Sequence, residues 1–390
     1  MEEEKVTPFQ RCHFEPSAFV HVCSPRIVKE NPGRVVYANP NEVPQRIVCT
    51  IYVDDGRTWD NCNTVCDDFY LRMSKRFSLT CDGGGLTFMI GMDIALGDGW
   101  AKLSSSTYIR SMCTRWLPHA IEEYDHVDTS AHPRLMDYYE QAILLRGNTP
   151  PELGHRYRSL VGGLLFPCPV TRPDCLYAAG IHARAMDFAT EDLFKTALHL
   201  LVFMGQAHSD GLLYSRHAPN ARQLEWWSDS DWSVRRSTTG GTGQLAGASV
   251  CAMSRRQECI TGSSTHAEIV AASSNSNDVL WARGFLEEIG LPQLGPTPFY
   301  VDAKNVLTLV YNLISSKLTW HINRRELIVR EREIAGELEV TKVATEDNIS
   351  DMLTKGLDRV PFVKLRRLLM NLVVRAPSAV VPRLRRQRQS

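Results

Sequence analysis

Short apolar runs and segments of helical spacing alternate along the chain in three blocks. In the first, RIVCTIYV over 46–53 reads as a strand that ends in a tight turn at Asp54, Asp55 and Gly56, with helix-like spacing over 63–77. LTFMIGMDIA over 86–95 reads as a second strand, with Gly83, Gly84 and Gly85 as turn residues before it, and 107–116 as a short helix. A polar, proline-containing stretch over 125–151 reads as a linker. Helical spacing returns over 157–166 and 191–205, with Thr190 placed to cap the second helix and Gly205 to end it. From Gln223 the period changes again. Strand-like segments at 224–227, 242–245 and 250–254 suggest an antiparallel meander. A long helix is predicted over 265–289, opened by Ser263, Ser264 and Thr265 and closed by Gly290 and Pro292. A strand ending in Val301 and Asp302, a helix over 305–313, a helix-like stretch over 324–334, a strand over 338–343 and a helix opening near Asn348 complete a mixed α/β layout.

Composition narrows this picture. The chain has 390 residues, 43% hydrophobic and 23% charged, enough for two or three domains with cores. Lys plus Arg and Asp plus Glu both number 44, which speaks against a uniformly cationic nucleic-acid binder. The balance hides an asymmetry: 359–390 holds nine Lys or Arg and no acid, so the preceding residues carry nine more acids than bases. The eleven cysteines include no CxxC pair, which disfavours a zinc site and a disulfide framework. The acidic start lacks a signal-peptide pattern, and no apolar run approaches the ~20 residues of a membrane span. These features read as those of a soluble intracellular chain, with cytoplasm and nucleus both open.

Several carboxylates stand at the edges of the predicted elements of the third block. Asp229 and Asp231 follow its first strand, Glu268 lies one turn inside the long helix, Asp302 ends the next strand, and Asp351 falls in the first turn of the last helix. Acids at strand ends and helix starts around one sheet can converge, and oxygen ligands without His or Cys suit Mg²⁺, with Mn²⁺ as an alternative. Two such ions are the usual arrangement for phosphodiester hydrolysis. The competing reading is a set of solvated acids favoured by helix dipoles. Upstream, Tyr52-Val53-Asp54-Asp55 would present two acids on a turn after a strand, a weaker signal because Asp-rich turns are common.

Taken in order, these segments resemble the C-terminal part of a Pol polyprotein from a Copia-type LTR retrotransposon. The blocks YVDD, YLRMSKRF, FMIGMDI and STYIRSMC are similar to the family's reverse transcriptase part, followed by YRSLVG from Tyr157, TRPD from Thr171, YAAG from Tyr177 and GLLY from Gly211. WSDSDW, RRSTTGG, AMSRRQ, SSTHAE, VLWARGFLEEIG, YVDAKN, HINRRELIVRE and DNISDMLTKGL are similar to its ribonuclease H part, and the resemblance spans about 9–360. It implies a truncated reverse transcriptase palm over 1–145, a helical thumb or connection region over 146–222, a ribonuclease H-like domain with a mixed sheet and flanking helices over 223–358, and a basic tail over 359–390.

Carried over by position, the resemblance implies Asp229, Glu268, Asp302 and Asp351 as catalytic acids holding two Mg²⁺ ions, with Asp231 an alternative to Asp229. The implied substrate is an RNA:DNA hybrid whose RNA strand is hydrolysed. Asp54 and Asp55 remain from the polymerase motif. A third metal-binding Asp and the fingers are not found in the first fifty residues, so the chain is expected to begin inside the palm and not to polymerise alone; the missing part is a candidate partner, and 1–120 are expected to pack poorly or to associate. Ala303 replaces the family's Asn after Asp302. Arg235, Arg236, Arg255 and Arg256 are candidate nucleic-acid contacts, or solvated strand-edge charges. Trp226, Trp227 and Trp232 read as sheet packing rather than base platforms. The tail, with Arg383, Arg385, Arg386 and Arg388, reads as flexible and basic. A rival reading is a catalytically inactive retroelement remnant.

Overall fold

The structure, a computed structural model, describes residues 10–23, 27–31, 34–37, 45–52, 55–60, 71, 73–75, 87–232, 236–311 and 328–372. Near its start lie β1 (Gln10–Arg11), β2 (Ala18–Cys23), β3 (Ile27–Asn31), β4 (Arg34–Tyr37), β5 (Gln45–Tyr52) and β6 (Asp55–Asp60). The sheet order β1-β2-β5-β6 is antiparallel throughout, and β3 pairs with β4. Tyr52 faces Asp55 across the β5–β6 hairpin. Asp54, the three glycines Gly83 to Gly85 and most of the helix predicted over 63–77 lie outside the described residues.

The strand predicted over 86–95 is two strands, β7 (Phe88–Met89) and β8 (Met92–Gly97). Gly91 breaks it: its φ of 76° suits a tight turn, and the Phe166 ring lies where a Cβ would sit. β9 (Trp100–Ser104) and β10 (Gly211–Ser215) complete an antiparallel sheet in the order β10-β9-β8-β7.

Between β9 and β10 runs a helical module of α1 (Ser106–Trp116), α2 (Leu135–Leu144), α3 (Pro151–Leu165), the short α4 (Pro167–Val170), α5 (Leu176–Arg184) and α6 (Glu191–Gln206). α2 occupies the stretch expected to be a linker, because Leu135 and Ala142, one helical face apart, are buried in the module's core. Thr190 caps α6 as its position predicts, its hydroxyl accepting from Leu193 N at 3.3 Å. The expectation of poor packing over 1–120 does not hold for α1, whose Ile109 and Met112 are buried in the same core.

The TRPD block forms the module's ionic centre. Arg172 and Asp174, both fully buried, make two hydrogen bonds of 2.9 Å, and Arg366 donates to Asp174 at 2.7 Å and to Asp210 at 2.8 Å. Burial alone would raise the Asp174 carboxyl, but the Arg172 and Arg366 guanidiniums hold it well below the usual carboxylate range.

The last block is a five-stranded mixed sheet. β11 (Glu225–Asp231), β12 (Thr238–Leu245) and β13 (Ala248–Arg256) form the predicted meander; β14 (Thr297–Val301) and β15 (Leu338–Lys342) join in parallel, giving the order β13-β12-β11-β14-β15. α7 (Ser264–Glu288) crosses one face and buries Ile269, Ala272, Val279 and Leu286 in a core with Trp226 and Phe299. α8 (Lys304–Tyr311) and α9 (Ile328–Ile334) flank β14 and β15.

Three expectations need correction here. Asp229 and Asp231 lie within β11 rather than after it. The helix expected near Asn348 is a 3-10 turn over Ile349–Leu353, and a separate helix, α10 (Arg359–Met370), follows. α10 occupies the start of the stretch expected to be a flexible tail; Phe362, Leu365, Leu369 and Met370 form one apolar face buried in the core of the helical module. Of the tryptophans, Trp226 is fully buried and Trp227 packs against Tyr300, whereas Trp232 is about half exposed and donates to Thr261 O.

Candidate metal centre

Alternation along β11 sends Trp226 and Ser228 towards α7 and Asp229 towards the opposite face. Asn275, fully buried on α7, accepts from Trp226 Nε1 at 2.9 Å and donates towards Ser228 Oγ and Gly240 O, each at 3.0 Å. Such a network is costly to leave half-satisfied, so it holds helix and strands in one register. Gly240 and Gly241 in the TTGG run make room for it. A Cβ on Gly241 would sit 1.6 Å from Asn275 Oδ1, and one on Gly240 would meet Thr354 and Ser350 on the other face.

β14 is parallel to β11, with Trp227 opposite Tyr300 and Ser228 opposite Val301, so Asp229 and Asp302, which follow the second pair, stand at the same end of the sheet. The first turns of α7 and α8 are tied by Asn305 Nδ2 donating to Thr265 Oγ1 at 2.7 Å. Glu268, one turn into α7, thereby reaches the same point. Carboxylate oxygens of Asp229, Glu268 and Asp302 lie within 4.8 Å of one another.

The 3-10 turn closes the group. Asn348 caps it by accepting from Ser350 N and is anchored to β11 by donating to Ser228 O at 3.3 Å. Thr354 donates to Asp229 Oδ2 at 2.6 Å, and Lys355 forms an ion pair with Asp351. Burial, reinforced by Asp351 and Asp302, pushes Asp229 up to about 7 against the pull of Thr354 and Lys355. Burial and the charges of Asp229 and Asp302 push Glu268 up to about 9. Asp351 is raised by burial too, although Lys355 opposes the shift. Carboxylates drawn this close together and partly shielded from water repel one another unless a cation neutralises them.

Of the four acids proposed from position, Asp229, Glu268 and Asp302 come together, Asp351 lies beside Asp229, and of the D-x-D pair it is Asp229 that joins the group. Asp231 faces a cleft with Arg184, Arg236 and Arg256 instead. Arg255 is engaged with Asp278 at 3.9 Å, and Arg235 lies outside the described residues. Thr354 and Lys355 were not singled out from the sequence, although the i,i+4 spacing of Asp351 and Lys355 was a signal for the ion pair.

A mixed five-stranded sheet with buried and half-buried carboxylates gathered at one end defines a mixed α/β protein with a candidate cation site. Among known proteins, the chain is 29% identical over 217 residues to the "Retrovirus-related Pol polyprotein from transposon TNT 1-94" of Nicotiana tabacum, covering 55% of this chain and 16% of that protein. It is 28% identical over 325 residues to the "Retrovirus-related Pol polyprotein from transposon RE2" of Arabidopsis thaliana, covering 82% of this chain and 21% of that protein. These similarities bear out the resemblance to Copia-type transposon Pol polyproteins carried by the order of the sequence blocks. The chain spans about a fifth of the length of these two Pol polyproteins. No family model matches it. A solved foamy viral protease-reverse transcriptase in complex with double-stranded DNA overlaps 76% of this chain and 46% of its own, with a TM-score of 0.35 and 10% identity, a likeness too slight to carry weight. Among the described residues, no helix is long and apolar enough to cross a membrane.

Proposed function

We propose that the chain hydrolyses the RNA strand of RNA:DNA hybrids with divalent cations held by Asp229, Glu268, Asp302 and Asp351. The observation that carries this reading is the convergence of three buried or half-buried carboxylates within 4.8 Å, with a fourth beside them. An all-oxygen donor set suits Mg²⁺ or Mn²⁺. A pair of such ions would supply activation of a water and stabilisation of the leaving oxygen. The chain's own groups prepare the site: Thr354 fixes the orientation of Asp229, and Asn348 ties the Asp351 turn to β11. Because Asp229 and Glu268 hold protons more tightly than usual, a cation bound there would displace protons and bind more tightly as pH rises.

A second reading, an inactive retroelement remnant, is favoured by Lys355, whose ammonium already neutralises part of the cluster. A labelled RNA:DNA hybrid incubated with Mg²⁺ separates the two. Wild-type cleavage that falls about a hundredfold or more in Asp302→Asn supports the nuclease, since cation chemistry contributes several kcal/mol and about 1.4 kcal/mol is a factor of ten. No cleavage by the wild type, or equal cleavage by both, supports the remnant.

A further inference from the structure

A second cluster of charge lies at the same end of the sheet, where the helical module meets it. A cleft of about 220 Å³ is lined by Arg146, Arg184, Arg236 and Arg256, with Glu140 and Asp231 as its acids. Its arginines come from both modules. Arg184 ends α5 and Arg146 follows α2, its guanidinium 5.3 Å over the Phe188 ring, while Arg236 precedes β12 and Arg256 ends β13. Across the sheet, Asp231 pairs with Thr238 and Thr238 with Arg256, so the sheet side of the cleft spans three strands.

Among the described residues, the side chains of Arg184, Arg236 and Arg256 have no hydrogen bond or ion pair, in contrast to Arg172, Arg255 and Arg366. Arg184 is partly buried; desolvation lowers its affinity for a proton and Arg256 adds repulsion, against the pull of Tyr139, Tyr177 and Asp231. Guanidiniums held together without a hydrogen-bonded acid are stabilised by a bound anion. The cleft is smaller than the ~300–1,000 Å³ of typical small-molecule pockets, a size suited to a phosphate and its sugar. Guanidinium groups match phosphate oxygens in geometry as well as charge. Asp231 is two residues beyond Asp229 on the same strand face, so the cleft opens about 7 Å along the strand from the candidate metal centre.

We propose that this cleft between α2, α5 and the β12–β13 strand ends is a subsite for the phosphate backbone of a nucleic acid, formed jointly by the helical module and the mixed sheet. It deepens the nuclease reading, since the strand it holds is the one delivered to the acids, and it rests on that reading for its ligand. Arg184 is a binding residue supplied from outside the sheet domain, and Arg236 and Arg256 complete the grip.

The test is binding of a fluorescent RNA:DNA hybrid to the whole chain in EDTA, where no cleavage occurs, across a series of salt concentrations. Arg184→Gln and Arg256→Gln should each weaken binding about three- to tenfold and reduce the salt slope by about one, as expected for one lost phosphate contact. Arg184→Lys should recover the slope, which a purely structural role would not produce. Lys195→Gln, an exposed α6 position paired with Asp192, should match the wild type. Arg256 is exposed, so its variant remains informative if Arg184→Gln fails to fold. Wild-type affinity and slope in Arg256→Gln and in any folded Arg184 variant would overturn the proposal. So would a site at which inorganic phosphate stabilises the chain against heat while hybrid affinity is insensitive to both arginines. Absent cleavage with arginine-dependent binding would sink only the nuclease reading; intact cleavage with unaltered binding in the variants would sink only the cleft.

Discussion

Lys355 occupies the position that decides how the acidic cluster behaves without a metal. Its ammonium pairs with Asp351 and draws on Asp229 and Asp302, and those carboxylates in turn raise its own affinity for a proton. Replacing it with Met should cost about 1 kcal/mol at neutral pH. The cost should shrink in acid, where the carboxyls are protonated; urea titrations at two pH values would read the difference. The raised Asp229 and Glu268 give a further pH dependence. Both bind protons more tightly folded than unfolded, so their contribution to stability is fully present below their usual values of 3.8 and 4.5 and is lost as pH rises through about 7 and about 9. Thermal unfolding in EDTA should therefore weaken across that window, and added Mg²⁺ should restore more stability at its alkaline end; a flat profile would contradict the burial of the cluster. The four acids were legible in the sequence because each stands at the border of an apolar segment. Lys355 was not, because an Asp-Lys pair four residues apart is an ordinary feature of solvated helices, and nothing local shows that this one stands beside other acids brought in from distant segments.

At the scale of elements, the close contact of α7 with β12 positions Glu268. Gly241→Ala would force a methyl group into the Asn275 amide, and overpacking of this kind costs about 1–3 kcal/mol. Asn275→Ala should cost about 3 kcal/mol by leaving the Trp226 indole N–H and the Gly240 carbonyl without their buried partner. Denaturant midpoints would measure both, and a neutral Gly241→Ala would show that α7 can slide. The meander, the long helix and the two parallel strands were legible from period and capping alone. The glycines were harder to read, since two adjacent glycines in a strand suggest weakness until the facing side chain is known. The break at Gly91 and the 3-10 turn at Asp351 escaped for a related reason: both depend on what packs beneath them. Arg184 was illegible as a site residue because no spacing rule connects a helix end in one module with strand ends more than fifty residues later.

For the whole molecule, the buried Asp174 joins segments far apart in sequence. Asp174→Asn would leave Arg172 with an impaired partner in a fully buried setting and loosen Arg366, at a cost of about 3–5 kcal/mol. Because Asp174 is held below its usual range, its contribution is present above that range and lost as the solution becomes strongly acidic. The variant's deficit should accordingly narrow in acid, as chemical denaturation at several pH values would show. The sequence suggested a sheet domain ending near 358 followed by charge in solution. The apolar face of α10 was readable in principle, but its four buried residues alternate with basic ones, the pattern of a solvated segment. That helix has a practical consequence for dissection. Ile349, Met352, Leu353 and the inner face of α10 belong to the same core as α3, α5 and α6. A fragment cut to 223–358 would lose α10 and bare a greasy flank, so it should come out of expression sticky or insoluble even if its acids are intact, and a silent nuclease assay on it would report the cut rather than the chemistry.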